Sequence, residues 1–255
     1  MILDAFRLDN RVALVTGAAR GLGQALALGL AEAGADVALL DVLPLTETHE
    51  RIEAVDRRCH PLDADLRGVS PATADAVVAQ VVGALGRLDI LVNNAGINRR
   101  APAVDYPQAD WEAVLDVNLA VPFYLSQAAA RHFLGSGRGG KIVNMASMQS
   151  YQGGLSIAPY AAAKHGIAGL TRALSNEWAR HGINVNAIAP GYMATEMTAP
   201  VRADPTRADS LFARIPAGRW GDPTDLQGAV VFLCSDAAAY VHGTILPVDG
   251  GWLAW

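Results

Sequence analysis

Short runs rich in β-branched residues alternate with longer Ala- and Leu-rich stretches along the whole chain. The short runs predict strands over 12–16, 36–40, 88–93, 141–147, 183–189 and 244–249. The longer stretches predict helices over 21–33, 71–86, 108–134, 159–181 and 223–235. Strict strand–helix alternation is typical of a parallel sheet covered by helices on both faces. We therefore predict an α/β fold built on one doubly wound parallel sheet.

The chain carries no linker, repeat or low-complexity tract that would divide this pattern. Its 255 residues, 51% of them hydrophobic, suit one large domain with a sizeable core. We expect a single domain over 1–255. The least regular part is 190–215, with scattered Pro, Thr, Arg and Asp residues. Because a long irregular stretch inside a compact domain is usually functional, we expect a mobile substrate loop there.

Charge and cysteine content argue against several classes of protein. The net charge of −5 gives no reason to expect nucleic acid as a partner. Cys59 and Cys234 lie far apart and are expected to be buried free thiols, and no Cys/His cluster has the spacing of metal ligands. No stretch approaches the roughly 18 apolar residues of a membrane span, and the first ten residues do not resemble a signal peptide. We expect a cytoplasmic protein that uses no metal and no membrane.

A glycine-rich turn follows the first predicted strand and opens the first predicted helix. Gly17, Gly21 and Gly23 would let the backbone approach a pyrophosphate at the helix N-terminus, where free N–H groups favour negative charge. The spacing is G-x3-G-x-G rather than G-x-G-x-x-G, so the order of strand, turn and helix carries the prediction. It predicts a dinucleotide site in a Rossmann-type fold.

Two charged residues bear on which dinucleotide binds. Asp41 ends the second predicted strand, where a carboxylate accepts hydrogen bonds from ribose hydroxyls and repels a 2′-phosphate. Arg20, inside the glycine turn, could instead neutralise such a phosphate. We give Asp41 the greater weight and predict NAD as the cofactor.

Six short motifs occur in order along the chain: TGAARGLG (16–23), NNAG (93–96), Asn118 in DVNLA, Ser147, Tyr160-x3-Lys164 and PGYMAT (190–195). Together they resemble the short-chain dehydrogenase/reductase family. The resemblance implies an oxidoreductase that transfers a hydride between a nicotinamide cofactor and an alcohol or ketone. Besides the glycine turn, Arg20 and Asp41, it assigns cofactor binding to Leu22, Asp65, Leu66, Asn93, Ala95, Gly96, Tyr160, Lys164, Pro190, Gly191, Met193 and Thr195.

Lysine is rare in this chain, and Lys141 and Lys164 are its only two. Tyr160 and Lys164 are four residues apart, so on a helix both project from one face. A nearby ammonium favours the phenolate of a tyrosine, so the pair suits a general acid/base, and a guanidinium would replace it poorly. By resemblance, Ser147 holds the substrate oxygen and Asn118 holds a water that links Lys164 to solvent. For Asn118, a hydrogen bond to the helix backbone is the alternative.

Further segments bear on the substrate: MILDAF at the start, NEWA (176–179), IPAGRWG (215–221) and VDGGWLA (248–254). They resemble the branch of the family that acts on six-carbon sugar acids. The resemblance implies a secondary alcohol or ketone of the 2-dehydro-3-deoxygluconate or 2-deoxygluconate type. Gln149, in the polar segment QSYQ, is expected to bind this substrate together with Ser147 and Tyr160.

Three alternatives to this function stay open. A 3-oxoacyl-[acyl-carrier-protein] reductase shares the catalytic motifs, although Asp41 and the acidic net charge argue against it. Gluconate 5-dehydrogenase is a near relative of the favoured branch. A non-catalytic dinucleotide sensor on the same fold is disfavoured because such proteins usually lack the tyrosine or the lysine.

Two adjacent arginines follow the NNAG motif, and their place predicts how a carboxylate is recognised. Arg99 and Arg100 leave the carboxyl end of a predicted strand, where ligands sit in doubly wound sheets. A guanidinium gives a carboxylate two parallel charge-assisted hydrogen bonds. Adjacent side chains point in different directions, so we expect one of the two, Arg99 first, to face the substrate. A solvated loop or a salt bridge, for example to Asp105, is the alternative.

The chain ends in VDGGWLAW, with two tryptophans directly after the last predicted strand. Large exposed aromatic residues usually mark a contact surface, and the family resemblance implies a homotetramer with dihedral symmetry. A tail folded onto its own subunit is the alternative.

Overall fold

Seven parallel strands form one sheet in the computed structural model, which describes residues 1–254. The strands are β1 (Val12–Thr16), β2 (Asp36–Asp41), β3 (Cys59–Asp63), β4 (Ile90–Asn93), β5 (Gly140–Met145), β6 (Ile183–Pro190) and β7 (Ile245–Val248). Their order across the sheet is β3-β2-β1-β4-β5-β6-β7. The chain therefore winds outward from β1 to one edge and from β4 to the other. The predicted doubly wound α/β fold is confirmed, with the reversal of strand order between β1 and β4.

Within residues 1–254, nine α-helices connect and cover these strands. They are α1 (Gly21–Glu32), α2 (Thr46–Glu53), α3 (Pro71–Leu85), α4 (Gln108–Leu115), α5 (Val121–Ser136), α6 (Ala158–Trp178), α7 (Ala199–Arg202), α8 (Pro205–Phe212) and α9 (Gln227–Cys234). On one face of the sheet α1 and α9 pack against Ala13 and Val15, and on the other α3, α5 and α6 pack against Val12 and Leu14. Because β1 is covered on both faces, all of its residues are buried, as in parallel sheets generally.

Strand β3 and helix α2 are absent from the sequence prediction. β3 lies at the edge of the sheet and pairs only with β2 among the described strands. Leu62 is its one buried residue, and Pro61 lies within it. An edge strand needs no continuous apolar run, and it tolerates a proline whose missing N–H faces away from the neighbouring strand. The apolar periodicity that reveals the central strands is therefore missing here.

The segment 190–215, predicted to be irregular, contains helices α7 and α8 and a short 3₁₀ turn (Glu196–Thr198). Most of its residues are exposed, while Val201 and Ile215 are buried. The segment follows β6 directly, so it lies over the carboxyl end of the sheet. It is more regular than the sequence predicts, and its mobility stays a prediction.

One helical run among the described residues, Gln108–Ser136, is long and apolar enough by composition to cross a membrane. It comprises α4, a π-helical turn (Asp116–Ala120) and α5. More than half of its most apolar window is buried inside the structure. Helices in the core of a water-soluble domain pass the same test, so this run is weak evidence for a membrane span.

Candidate active site

A cleft of about 1050 Å³ lies across the carboxyl ends of β1 to β6. It is lined by the glycine turn after β1, by Asp41, by Asp65 and Leu66 after β3, by the loop after β4, by Ser147 after β5 and by the segment after β6. The cleft spans the reversal of strand order, which is the usual ligand position in sheets of this kind. Among residues 1–254 no group of three or more His, Cys, Asp or Glu side chains is placed to hold a metal ion.

The glycine turn is packed too closely against neighbouring backbone to admit side chains at two of its three glycines. Gly17 has φ +66°, and a Cβ there would lie 2.8 Å from Ala95 Cα. A Cβ at Gly23 would collide with the carbonyl oxygen of Gly17. Gly21 has φ +58°, and the nearest atom to a Cβ there is the Thr195 methyl at 3.9 Å, across the cleft. The turn therefore presents its backbone, at the N-terminus of α1, to whatever occupies the cleft.

Asp41 lines the same cleft and stabilises the backbone around it. Its carboxylate accepts hydrogen bonds from the backbone N–H groups of Ala19 (2.9 Å), Val42 (2.7 Å) and Leu43 (3.0 Å). These bonds fix the carboxylate beside the glycine turn, and the residue lines the cleft. A fixed carboxylate at the end of β2 suits the hydroxyls of an unmodified ribose and disfavours a phosphate.

Arg20 extends from the glycine turn and forms an ion pair with Glu196, on the 3₁₀ turn after β6. The pair joins the two rims of the cleft at its cofactor end. Both side chains are largely exposed, at 58% and 69%, so the pair itself stabilises the fold little. Because Glu196 occupies this guanidinium, Arg20 is less available to a ribose phosphate.

Tyr160 and Lys164 lie on the first turns of α6 and face the cleft. The Lys164 Nζ is 5.4 Å from the centre of the Tyr160 ring and donates a hydrogen bond to the Met145 carbonyl oxygen at 2.6 Å. Ser150 holds the helix against β5: its hydroxyl donates to the Lys164 carbonyl oxygen at 2.6 Å and accepts from the Ser147 N–H at 3.3 Å. The Ser147 hydroxyl, 8% exposed, is thereby fixed next to the phenol.

Burial shifts both ionisable groups of this pair. It lowers the pKa of the Lys164 ammonium from 10.5 to about 8, since a charged amine loses its water. It raises the pKa of the Tyr160 phenol, while the neighbouring Ser147 hydroxyl acts in the opposite direction. The sequence predicts that Lys164 lowers the pKa of Tyr160, whereas in the structure burial raises this pKa and the Ser147 hydroxyl is the group that lowers it. A lysine with a pKa near 8 can exchange a proton close to neutral pH.

Asn118 lies in the π-helical turn between α4 and α5. Its side-chain amide donates to the carbonyl oxygens of Val114 and Ile97, both at 2.8 Å. Its Oδ1 is buried and has no hydrogen-bond partner among the described residues. The backbone contact considered as the alternative is thus present, and it leaves one acceptor free for water or a ligand. A π turn of this kind often marks a functional site.

Comparison with known proteins agrees with this arrangement. A family model described as enoyl-(acyl carrier protein) reductase matches residues 17–253. The 2-dehydro-3-deoxy-D-gluconate 5-dehydrogenase of Escherichia coli is 52% identical over 256 residues, covering 100% of both chains. The gluconate 5-dehydrogenase of Gluconobacter oxydans is 43% identical, covering 97% of this chain and 96% of its own. The crystal structure of a gluconate 5-dehydrogenase from Burkholderia cenocepacia, in complex with NADP and tartrate, matches with TM-score 0.94 at 42% identity and covers 100% of both chains.

The chain belongs to the short-chain dehydrogenase/reductase family. It is an oxidoreductase that uses a nicotinamide dinucleotide. In this short-chain dehydrogenase/reductase, Gly17 and Gly23 allow the close backbone packing of the turn, and Gly21 borders the open cleft in which the cofactor would lie. All but one of the other predicted site residues line the cleft. Those that do are Leu22, Ala95, Gly96, Asn118, Ser147, Gln149, Tyr160, Lys164, Pro190, Gly191, Met193 and Thr195.

The exception is Asn93, and the structure corrects its assignment. Its side chain is 4% exposed and donates to the Asn144 Oδ1 at 2.8 Å and to the Ser126 hydroxyl at 3.0 Å. It therefore ties β4 to its neighbours behind the wall of the cleft. Asn94 lines the cleft instead, and its amide donates to the carbonyl oxygens of Thr16 (2.9 Å) and Gly17 (3.0 Å). Successive residues of an extended chain point to opposite sides, which separates the two asparagines of NNAG.

Tyr192 and Arg207 also line the cleft, although the sequence analysis does not predict either as a site residue. Tyr192 lies between two predicted cofactor positions, and Arg207 lies on α8. Arg99, the first choice for the substrate, also lines the cleft, but its guanidinium pairs with Asp110 of α4 rather than with Asp105. The sequence could have indicated Tyr192, because this residue lies inside the motif PGYMAT. No neighbouring residue or motif indicates that Arg207 lines the cleft.

Proposed function

We propose that this protein is an NAD-dependent dehydrogenase of a sugar acid, acting at a secondary alcohol or ketone of the 2-dehydro-3-deoxygluconate or 2-deoxygluconate type. The observation that carries the proposal is the group of Ser147, Tyr160 and Lys164 in a cleft that also presents the polar side chains of Asn98 and Gln149. A relative that is 52% identical over its full length is a 2-dehydro-3-deoxy-D-gluconate 5-dehydrogenase, which supports this substrate class.

The roles of the residues follow from their contacts. The bound nicotinamide would supply or accept the hydride. Ser147 would donate a hydrogen bond to the substrate oxygen, and Tyr160 would exchange the proton of that oxygen. Lys164 would hold ribose hydroxyls and pass protons, and the free Oδ1 of Asn118 would hold the water that connects it to solvent. General acid/base transfer of this kind contributes roughly 10²–10⁴-fold to a rate.

The choice of NAD over NADP rests on Asp41 and Arg20. The Asp41 carboxylate is fixed beside the glycine turn by three backbone bonds, and the Arg20 guanidinium is paired with Glu196. A ribose 2′-phosphate would meet the carboxylate and would need to displace the ion pair. The relative from Burkholderia cenocepacia binds NADP, so the selectivity is a proposal for this chain alone.

The second candidate is a 3-oxoacyl-[acyl-carrier-protein] reductase. The matching family model is described by another reaction on carrier-bound acyl groups, that of an enoyl-(acyl carrier protein) reductase. A sugar acid needs hydrogen-bonding partners along its chain, and an acyl substrate does not. Gln149 Oε1 and Asn98 Oδ1 are buried acceptors with no partner among the described residues, and both residues line the cleft. Since leaving such acceptors against an acyl chain costs free energy, the cleft favours a hydroxylated substrate.

A substrate panel tests the proposal. Purified protein is assayed by nicotinamide absorbance in both directions. The alcohols 2-dehydro-3-deoxygluconate, 2-deoxygluconate and gluconate are offered with NAD and NADP, and the ketones 5-ketogluconate and, as the acyl probe, an acetoacetyl thioester are offered with NADH and NADPH. We expect the highest kcat/KM for a sugar acid with NAD. Higher kcat/KM for the acyl probe would replace the proposal by the second candidate, and turnover of neither class would refute both.

Substitution of Asp41 tests the cofactor choice separately. In Asp41→Asn the negative charge is removed while one acceptor oxygen remains for the loop N–H groups. We expect the KM for NAD to rise and that for NADP to fall, with the ratio of the two kcat/KM values moving by about 10-fold or more. A wild-type enzyme that already prefers NADP would show that Arg20 decides the selectivity instead.

A further inference from the structure

Six arginines line the cleft, and they differ in whether an acidic partner is present. Arg20 pairs with Glu196, Arg67 with Asp65 and Arg99 with Asp110. The other three are Arg100, Arg202 and Arg207.

Arg202 donates to the carbonyl oxygen of Thr195 at 3.1 Å. The guanidinium groups of Arg100 and Arg207 have neither an ion pair nor a hydrogen bond to any of residues 1–254. These two therefore have their donors directed to solvent or to a ligand.

Arg100 and Arg207 line the same cleft from different elements of the fold. Arg100 follows β4, and Arg207 lies on α8, which covers the carboxyl end of the sheet. Burial lowers the pKa of Arg100, and the positive charge of Arg207 lowers it further. Both charges also lower the pKa of the Tyr192 phenol, against the larger effect of its burial. Two positive charges in one cleft repel each other, and an anion bound between them would remove this repulsion.

Two tryptophans hold the ring of Tyr192 in place. Its ring packs edge-on against Trp220, with centroids 5.4 Å apart, and against Trp252, with centroids 4.8 Å apart. The Arg214 guanidinium lies over the Trp252 ring, 4.1 Å from its centroid. The aromatic cluster fixes the Tyr192 ring, which lines the same cleft as the two arginines, and Arg214 brings a third positive charge to this cluster.

We propose that Arg100 and Arg207, with the Tyr192 phenol, bind the carboxylate of the substrate, and that Arg99 does not. This inference rests on the proposed function, since it takes the substrate to be a sugar acid. Two forked guanidinium groups can give one carboxylate up to four charge-assisted hydrogen bonds. The unpartnered oxygens of Asn98 and Gln149 accept from the hydroxyls of the sugar chain. The cleft thereby distinguishes the anionic end of the substrate from its hydroxylated body.

The position of Arg207 has a consequence for the segment 190–215. Arg207 belongs to this segment, while Arg100 belongs to the loop after β4. A carboxylate held by both links the segment to the sheet. A neutral polyol makes no such link, so the acid is favoured by this contact.

Three single variants test the inference: Arg100→Ala, Arg207→Ala and, as the matched control, Arg99→Ala. KM and kcat are measured with saturating cofactor for a sugar acid and for the polyol that carries a hydroxymethyl group in place of the carboxylate. We expect Arg100→Ala and Arg207→Ala each to raise the KM for the acid about 10- to 100-fold, and to change the polyol values less than about 3-fold. We expect Arg99→Ala to change the acid-to-polyol ratio less than about 3-fold.

Two further readouts separate binding from folding and from activity. Isothermal calorimetry with the sugar acid should show the same losses in affinity, and thermal unfolding should be nearly unchanged because both arginines are exposed. Arg100→Lys keeps the charge without the fork and should fall between wild type and Arg100→Ala.

The outcomes are distinguishable. An unchanged acid-to-polyol ratio in both Arg100→Ala and Arg207→Ala, with wild-type turnover of a sugar acid intact, would overturn this inference alone. A selective loss in Arg99→Ala would restore the sequence prediction. A wild-type protein that turns over no sugar acid would refute the proposed function and this inference together.

Discussion

Replacing Lys164 by methionine separates its cost to the fold from its use in catalysis. The ammonium is 5% exposed, and its pKa falls from 10.5 to about 8. A difference of about 2.5 pH units at roughly 1.4 kcal/mol each corresponds to about 3 kcal/mol spent on burying the charge. Methionine has a similar length and no charge, but it leaves the Met145 carbonyl without the 2.6 Å hydrogen bond, at a cost of about 1–3 kcal/mol.

The sign of the effect depends on pH. Below pH 8 Lys164 is charged in both folded and unfolded protein, so wild type bears the full cost. Between pH 8 and 10.5 the folded state is neutral and the unfolded state is charged, so the cost falls as pH rises. The free energy of unfolding of Lys164→Met relative to wild type should therefore decrease by about 2–3 kcal/mol from pH 7 to pH 10. Other titrating groups, such as Cys234 with its pKa raised to about 12, cancel in the difference.

Urea unfolding at several pH values and fixed protein concentration measures this difference, while nicotinamide absorbance measures turnover. We expect turnover to fall at least about 100-fold. The matched control is Lys141→Met: Lys141 is also 5% exposed, donates to the Asn184 Oδ1 at 2.8 Å and lies at the amino end of β5, away from the cleft. That variant should keep its turnover. A difference in unfolding free energy that stays constant within about 1 kcal/mol from pH 7 to pH 10 would refute the reasoning.

Tyr160→Phe should lower turnover by about 10² or more with the cofactor Kd nearly unchanged, because only the proton donor is lost; near-normal activity would contradict its role. Gly23→Ala should abolish cofactor binding measured by fluorescence titration, since its Cβ collides with the Gly17 carbonyl oxygen. The control Gly83→Ala, where a Cβ meets nothing within 4 Å, should bind normally and be slightly more stable. Trp252 is 2% exposed and packs against Tyr192 of its own subunit, as in the alternative of a folded-back tail, and Trp255 lies outside the described residues. The homotetramer stays a prediction from the family resemblance: light scattering at micromolar concentration should report a tetramer, and a monomer would contradict it.

Much of the fold and of the catalytic group follows from patterns within a few residues. The buried strands carry continuous apolar runs, and Tyr160 and Lys164 are one helical turn apart, so α6 places them on one face. The glycine turn can be predicted from the sequence because any side chain at Gly17 or Gly23 would collide with neighbouring backbone. In contrast, β3 was missed because an edge strand buries one residue, Leu62, and leaves little periodicity to read.

What the sequence by itself determined is which chemistry the chain carries: a dinucleotide turn, an acid/base pair and arginines near the substrate. What only the tertiary structure decided is which of these groups point at one another. Arg99 and Arg100 are equivalent in the sequence, but Asp110 of α4 pairs with the first, and Arg207 of α8, more than a hundred residues away, lies near the second. Backbone direction and long-range packing set side-chain orientation, and neither is encoded in the spacing of neighbouring residues.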